Sequence, residues 1–539
     1  MDFYGVLYVP NFLLVTLFFL LSLYLYGRRN FGYFAAYGIK GPKPIAFLGN
    51  LKEIKDWEYA YVFLKWQKEY GDNYGIYLGS DPHLVVGDPE IIEKILIKHF
   101  SNFINRRLPY PLDEYTNNTV SFARDDHWKY LRTILSPSYS AKKLREIVPM
   151  IEDTLKILEM HLKKIEDSKE PADFHALFSG FTMDVIATTG FGIKVDSQEN
   201  PESPLVKNAK EAFVSNVFAS LQVVATIFPT VAIIAKWFKK GVLFGNITYF
   251  VEYSLELYYS ISLSLSLSLS LSIYLSIYLS IYLKYFCHLK LQTHKDLLQL
   301  LLDSQLEGHE KLDKKTEHEL KLENITDWRT KRGLTDLEII SQFVILFVAG
   351  FDSISATLSS FFHSIAYNPE IQERLYKEIQ ENLGEESPNY DNVQKLTYLR
   401  MCMEETLRMY PVGTLLTRET KEDCIIKGLK IPSGSGILIS TRSLHYDERY
   451  WSEPEKFNPE RFSEENKAKQ IPFTYLPFGD GPRICPGKRL AELEFKMAAV
   501  QLLRKYRVFV CNKSEEKIEL SQSMVMKPEK PIWLKIERR

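Results

Sequence analysis

The run Pro477-Phe478-Gly479-Asp480-Gly481-Pro482-Arg483-Ile484-Cys485-Pro486-Gly487 sets one cysteine in a glycine-rich loop, two residues after a cation. Glycine permits the positive φ of a tight bend and leaves room for a large flat ligand beside the backbone. An apolar run from Leu490 to Val500 resumes after the loop and reads as a helix. A cysteine just ahead of a helix is expected to be held as thiolate by amide N–H groups and the positive end of the helix dipole. One thiolate with no second Cys or His nearby makes a poor zinc site, which takes four ligands. It suits a haem iron, whose other ligands come from the porphyrin. A buried structural cysteine is the plain alternative, and the Phe-x-x-Gly-x-Arg-x-Cys-x-Gly spacing weighs against it.

Such a loop needs long elements around it, and past residue 50 the pattern is mostly helical with a few short β-like runs. Thr335-Asp336-Leu337-Glu338 is a capping box that opens the clearest helix. That helix runs through Phe343, Phe347, Ser353 and Phe361 and stops before Asn368-Pro369. About 30 residues at ~1.5 Å each would cross a whole domain. The small residues at its centre, Ala349-Gly350, predict that something bulky passes alongside. His83–Gly87, Leu429–Pro432 and Ile437–Ile439 read as strands bounded by turn residues. Glu405 and Arg408, three apart in a helical stretch, share one face. By itself that spacing fits a solvated surface pair equally well.

The 539 residues are 45% hydrophobic and carry a net charge of −1. No linker rich in Gly, Ser or Pro divides the chain after about residue 50, which argues for one large core. The neutral balance, without a basic stripe interleaved with aromatics, argues against nucleic acid. Five scattered cysteines (Cys287, Cys402, Cys424, Cys485, Cys511) show no disulfide framework and fit a reducing compartment.

Residues 3–26 are almost wholly apolar and end at Arg28-Arg29, long enough to span a bilayer. The first residues lack the basic start, and the segment lacks the small-residue cleavage site, of a secretory signal. Residues 1–29 are therefore read as an uncleaved anchor, with a signal peptide as the alternative. Positive charge after the span keeps the rest cytosolic, so the sequons at Asn117, Asn246 and Asn324 are expected to stay unmodified. Gly41-Pro42-Lys43-Pro44 within 30–50 reads as a stiff hinge, followed by the body at 51–539.

Residues 260–283 alternate Ser and Leu, then repeat Ser-Ile-Tyr-Leu. A TC dinucleotide repeat encodes the first pattern and a TCTA tetranucleotide repeat the second. The segment is read as translated simple-sequence DNA, against the alternative of a transmembrane segment.

The Cys485 loop and these motifs together resemble the cytochromes P-450, the haem-thiolate monooxygenases, over residues 1–255 and 290–539. Phe103–Arg107, Met183–Ile186, Trp451–Phe457 and Lys527–Pro531 are similar to the animal drug- and steroid-oxidising 3A type in particular. The resemblance implies a mainly α fold with a small β subdomain, tethered by one N-terminal transmembrane helix. It makes Cys485 the ligand of haem b iron. It adds Arg461, in Pro459-Glu-Arg-Phe462, to Glu405 and Arg408 as a buried network that fixes the loop. It makes Arg106, Trp128, Arg132, Arg418 and Arg483 contacts of the haem propionates, and Ala349, Phe478 and Gly487 further haem neighbours.

Ala349-Gly-Phe-Asp-Ser353 resembles the segment at which the family activates oxygen. Gly350 is expected to make room for O2, while Asp352 and Ser353 pass protons, against the alternative of a Ser353 bonding back to its own helix. This chain departs from the family in having Ser353-Ile354 where Thr is usual, and Pro486 directly after the ligand. Ser keeps the hydroxyl but loses the methyl that restricts its rotamer, so more leakage to peroxide is expected. Proline offers the sulfur no N–H, which is expected to lower the iron potential.

Substrate contacts are implied at Leu108–Arg124, around Phe213–Phe250, ahead of Ala349, at Pro411–Thr417 and at Ser521–Met526, all largely apolar. Val214–Phe238 could dip into the bilayer surface or span it.

The implied reaction inserts one atom of O2 into a lipophilic xenobiotic, steroid or fatty-acid-like substrate. Electrons come from NADPH through a separate cytochrome P-450 reductase, with cytochrome b5 as an additional donor. No Gly-x-Gly-x-x-Gly fingerprint after a strand offers NADPH a site here. The implied location is the endoplasmic reticulum membrane. A haem-thiolate isomerase of an endoperoxide and a non-catalytic haem protein are the rival functions.

Overall fold

The computed structural model describes residues 11–56, 59–108, 112–200, 207, 334–521 and 525–539. The Phe213–Phe250 stretch, with Val214–Phe238 inside it, and the 260–283 repeat lie outside the described residues, as do Asn246, Cys287 and Asn324.

The protein is mainly helical with a small β region. The principal helices include α1 (Asn11–Gly27), α2 (Asp125–Leu135), α3 (Ala141–Ser168), α4 (Phe174–Phe191), α5 (Asp336–Ala366), α6 (Thr397–Met409) and α7 (Lys488–Leu503). The described strands are β1 (Asn73–Leu78), β2 (Asp81–Val86), β3 (Ala172–Asp173), β4 (Leu415–Glu419), β5 (Cys424–Ile426), β6 (Leu429–Ile431), β7 (Gly436–Ser440), β8 (Tyr506–Phe509) and β9 (Trp533–Arg538). They form a four-stranded sheet ordered β1-β2-β7-β4, a three-stranded sheet β3-β9-β8 and the hairpin β5-β6.

Helix α5 is the central beam. Thr335 and Glu338 form the capping box, each satisfying the other's backbone N–H. From Glu338 to Ala366 every residue is buried except Leu346, Ala349, Gly350 and Ser353. Those four recur at i, i+3, i+4 and i+7, so they form one stripe on one helix face. By length and composition α5 could cross a membrane, yet most of its apolar window is buried inside the protein. It packs against α4: Phe191 stacks on Phe347 at 4.1 Å between ring centroids, and Phe178 and Phe174 meet Phe362.

A Cβ on Gly350 would stand 2.5 Å from Ile186 Cδ1. The missing side chain of Gly350 lets α4 approach α5, which also identifies the bulky neighbour of Ala349-Gly350.

The 41–44 hinge does not stand free of the body. Gly75 N–H bonds Lys40 O at 2.8 Å, and Asn50 exchanges two bonds with the Tyr77 backbone. A Cβ on Gly41 would lie 1.9 Å from Gly75 O, so the segment is docked on β1. Ahead of it, α1 is apolar with its side chains exposed.

Candidate functional site

The cysteine loop is closed by Cys485 N–H to Phe478 O (3.0 Å), Ile484 N–H to Gly481 O (2.9 Å) and Gly479 N–H to Leu476 O (3.1 Å). Gly479 and Gly481 take φ of +71° and +73°, where only glycine is at ease. Gly487 is the N-cap of α7 and has open space where a Cβ would be.

Cys485 presents accessible surface although protein surrounds the loop. Burial pushes its thiol pKa up, against the amide N–H groups of Gly487 and Lys488 and the charges of Arg132 and Arg106. The Gly487 and Lys488 amides at the helix start thus act on the sulfur in the expected direction, against desolvation. A metal cation would reverse that balance by displacing the proton. Tyr139, which no sequence signal singled out, also lies within electrostatic reach of the sulfur.

Arg132 and Arg106 act electrostatically on this thiol, and Arg418 and Arg483 cluster with them. Arg418 and Arg483 are buried, at 2% and 4% exposure, and Arg106 and Arg132 are half-buried. Arg106, Arg418 and Arg483 make no carboxylate ion pair among the described residues, and the buried Nε of Arg418 has no acceptor. Burial, then Arg106, Arg418 and Arg132, push the Arg483 pKa down to about 7, with Asp125 opposing. Burial and Arg106 bring Arg418 to about 9. A guanidinium does not surrender its proton in a protein, so this downward push expresses a demand for negative charge. The two propionate carboxylates of haem b would meet that demand, since a carboxylate suits a guanidinium fork.

Arg483 divides its donors. Nε–H bonds Ile104 O (2.9 Å), and the terminal nitrogens bond Ser121 O (3.3 Å) and Ala123 O (2.7 Å). Three of its five N–H groups thus pin the 104–123 segment to the cysteine loop, leaving two for an anion. Its plane lies 4.3 Å from the Trp128 ring centroid, on the buried face of α2.

On α5, Ala349 is exposed and Gly350 and Ser353 are half-buried, although the rest of the helix around them is buried. The donor set fits haem: a single sulfur and a group of buried guanidiniums without carboxylate partners among the described residues.

Glu405 and Arg408, both fully buried, sit three residues apart on α6. Arg408 Nε meets Glu405 Oε2 at 2.7 Å and one terminal nitrogen meets Oε1 at 2.9 Å. Arg408 also donates to His445 O and Pro454 O, while Arg461 Nε and Asn458 N–H reach Glu405 Oε1 at 3.3 and 2.9 Å. His445, a residue not anticipated, completes the link to the cysteine loop. Its Nδ1 lies 3.1 Å from Arg408 O and its Nε2 accepts Leu476 N–H at 2.9 Å. Those partners fix the neutral tautomer with the proton on Nδ1. A lone histidine in a polar run carries no sequence signal for this.

Asp352 and Ser353 point to different places. Asp352 Oδ2 pairs with Lys527 Nζ at 2.6 Å, whereas Ser353 Oγ donates to Ala349 O on its own helix at 2.8 Å. Adjacent helix positions diverge by about 100°, so the acid and the alcohol face different partners in this arrangement.

Of the segments expected to touch substrate, Leu108, Leu112, Tyr115, Phe122 and Val525 share one apolar cluster with Ile339, Phe343 and Phe347 of α5. Gln342 holds that wall by accepting Val120 N–H and donating to Asn118 O, both at 2.8 Å. Met526 N–H bonds Val412 O at 2.9 Å, and Gly413 bridges Val525.

The family model for cytochrome P450 matches residues 39–536. Among curated proteins, mouse cytochrome P450 3A11 is 34% identical over 525 residues, spanning 96% of this chain and 95% of its own length. Human cytochrome P450 3A7 is 34% identical over 523 residues, with 96% and 95% covered. The lithocholate 6-beta-hydroxylase of Mesocricetus auratus is 32% identical over 524 residues, with the same coverage. Matched along almost its whole length, and with a lone cysteine in a cationic cradle, the chain belongs to the cytochrome P450 family, as a haem-thiolate monooxygenase that uses haem b and electrons from NADPH supplied through a reductase.

Proposed function

We propose that this chain is a monooxygenase of the endoplasmic reticulum membrane, held there by residues 1–29, with the body at 51–539 on the cytosolic side. The apolar, exposed α1 followed by Arg28 and Arg29 supports that topology. Residues 30–50, docked on β1, would carry the body close to the bilayer. The 260–283 repeat is read as translated simple-sequence DNA, which a transcript spliced across it would support and a peptide from it would refute.

The observation that carries the site reading is the set of guanidiniums around one thiol. Cys485 would ligate iron, with Arg106, Trp128, Arg132, Arg418 and Arg483 holding the propionates. Ala349, Phe478 and Gly487 would line the porphyrin, and Glu405, Arg408 and Arg461 would fix the loop. Bound haem supplies oxygen activation, promoted by electron donation from its thiolate ligand. The chain's own residues orient substrate, exclude water and move protons. The apolar wall from Leu108, Phe122, Phe343 and Val525 would bind a lipophilic steroid or xenobiotic and offers few polar contacts to discriminate between them. Asp352 and Ser353 would pass protons along α5. NADPH–cytochrome P-450 reductase, with cytochrome b5 as a further donor, would supply electrons.

The test is the reduced carbon monoxide spectrum of detergent-purified protein expressed with ample haem. A strongly red-shifted Soret band that disappears in Cys485→Ala is the expected result. A colourless protein, or a band that survives the substitution, would end this reading. Lithocholate is a first probe for turnover, on the strength of the hamster relative's name.

A further inference from the structure

Asn105 sits between Ile104, whose carbonyl accepts Arg483 Nε–H at 2.9 Å, and Arg106. The residue is buried, at 7% exposure, and three hydrogen bonds tie it to two other elements. Its Oδ1 accepts Asp125 N–H at 2.8 Å, and its Nδ2 donates to Asp125 Oδ1 at 2.9 Å. Its carbonyl accepts Glu419 N–H at 2.8 Å. Asp125 opens α2, which carries Arg132 about two turns further on, and Glu419 ends β4 next to Arg418. One amide side chain and its own carbonyl thus join the segment of Arg106 to the elements of Arg132 and Arg418. Arg483 spans the same junction through Ile104 O and Ala123 O.

Cations placed together repel one another, so their positions have to be imposed by other bonds. Asp125 offers a backbone donor and a carboxylate acceptor side by side, and a primary amide supplies the complement of each. Asp125 holds φ at +45°, a left-handed conformation that Asp tolerates and that persists where neighbours fix it. It is also the anion that opposes the downward pull on Arg483. A second tie, from Arg107 to Asp81 Oδ2 (3.1 Å) and Gly434 O (2.6 Å), fastens the same segment to β2 and to the turn before β7. Loss of the Asn105 amide would therefore leave the segment attached but free its angle to α2. The outer link from Glu419 to Arg124 does not replace that amide, because the Arg124 side chain is 52% exposed and exposed pairs contribute little.

We propose that Asn105 is a positioning residue that sets the mutual placement of Arg106, Arg132, Arg418 and Arg483, and through them the grip on the haem propionates. The proposal rests on the reading of these arginines as propionate contacts. Cations beside the propionates favour the reduced state, which carries one more electron. Arginines freed to drift would hold haem less tightly and lower the ferric/ferrous potential.

Haem transfer from the purified holoprotein to apomyoglobin and a spectroelectrochemical titration test this. Asn105→Ala should release haem about ten-fold faster and show a lower potential at an unchanged carbon monoxide band. Unchanged release and potential would overturn the proposal. Asn105→Asp sets a carboxylate against that of Asp125 and should also release haem faster. Adding Asp125→Asn rebuilds both bonds with donor and acceptor exchanged and the net charge restored. Release should then return to the rate of the unsubstituted protein. A double variant as fast as Asn105→Asp overturns the proposal, and that comparison needs no Asn105→Ala protein. Arg418→Ala and Arg483→Ala keep the two readings apart. Faster release in both, with none in Asn105→Ala, removes Asn105 alone, whereas unchanged release in both rejects the propionate contacts themselves.

Discussion

The carbonyl oxygen of Leu96 lies 2.1 Å from the point where a Cβ on Gly481 would begin. The cysteine loop is thus pressed against backbone, which cannot swing aside as a side-chain end could. With φ at +73°, any L side chain at 481 is also strained. Gly481→Ala is expected to displace the loop and abolish the red-shifted carbon monoxide band. Gly190→Ala, a glycine outside the site with open space around its Cβ, should retain most of it. Equal retention in both would refute the steric argument.

Glu405 accepts from both Arg408 and Arg461, yet the two arginines differ in burial, with side chains 0% and 9% exposed. Glu405→Ala would leave the Arg408 charge enclosed without its anion, a loss of about 3–5 kcal/mol. Purified Glu405→Ala should lack haem, as judged by the ratio of Soret to protein absorbance. Arg461→Ala, whose site is nearer water and whose bond is longer, should keep part of it. A normal haem content in Glu405→Ala would remove the network from any role in assembly.

Features legible in the sequence were local ones. The glycines around Cys485, the Thr335–Glu338 capping box and the i, i+3 spacing of Glu405 and Arg408 each act over a few residues, so their signals survive in one dimension. The resemblance supplied Arg461, whose link to Glu405 spans 56 positions. The ion pair between Lys527 and Asp352 joins residues 175 apart, and neither neighbourhood carries a pattern that names the other. Gly350 was legible only in part, for a related reason. A glycine mid-helix signals close approach, but only the packing of α4 says that Ile186 is what approaches.

That contact makes a prediction with opposing terms. Gly350→Ala gains about 1 kcal/mol of helix propensity. It forces Ile186 Cδ1 away from the 2.5 Å it would otherwise keep, and such overpacking loses about 1–3 kcal/mol. Ile186→Val alone, at a 7% exposed site, should lose about 0.5–1.5 kcal/mol through the removed methyl. Together the changes should be less destabilising than their sum, with about 1 kcal/mol of coupling in thermal unfolding. Strict additivity would mean that the two helices are not in contact at this point.

His445 gives the protein an acid limit. Burial first, and the Arg408 charge second, hold its pKa down to about 3, so the folded protein keeps it neutral. In the unfolded chain it titrates near its ordinary value of about 6.5. Between those values the unfolded state binds a proton that the folded state refuses, so stability falls as pH falls, by about 1.4 kcal/mol per unit. Above about 6.5 neither state binds it and the contribution is flat. Protonation would also remove the Nε2 lone pair that accepts Leu476 N–H and would loosen the chain just ahead of the cysteine loop. His445→Gln keeps an acceptor and a donor but does not titrate. Its denaturant-derived unfolding free energy between pH 4.5 and 6.5 should therefore have a slope smaller by about one proton. Haem loss on acidification, followed by the Soret band, should shift to lower pH in the same variant, and parallel slopes in the two proteins would assign acid sensitivity to another group.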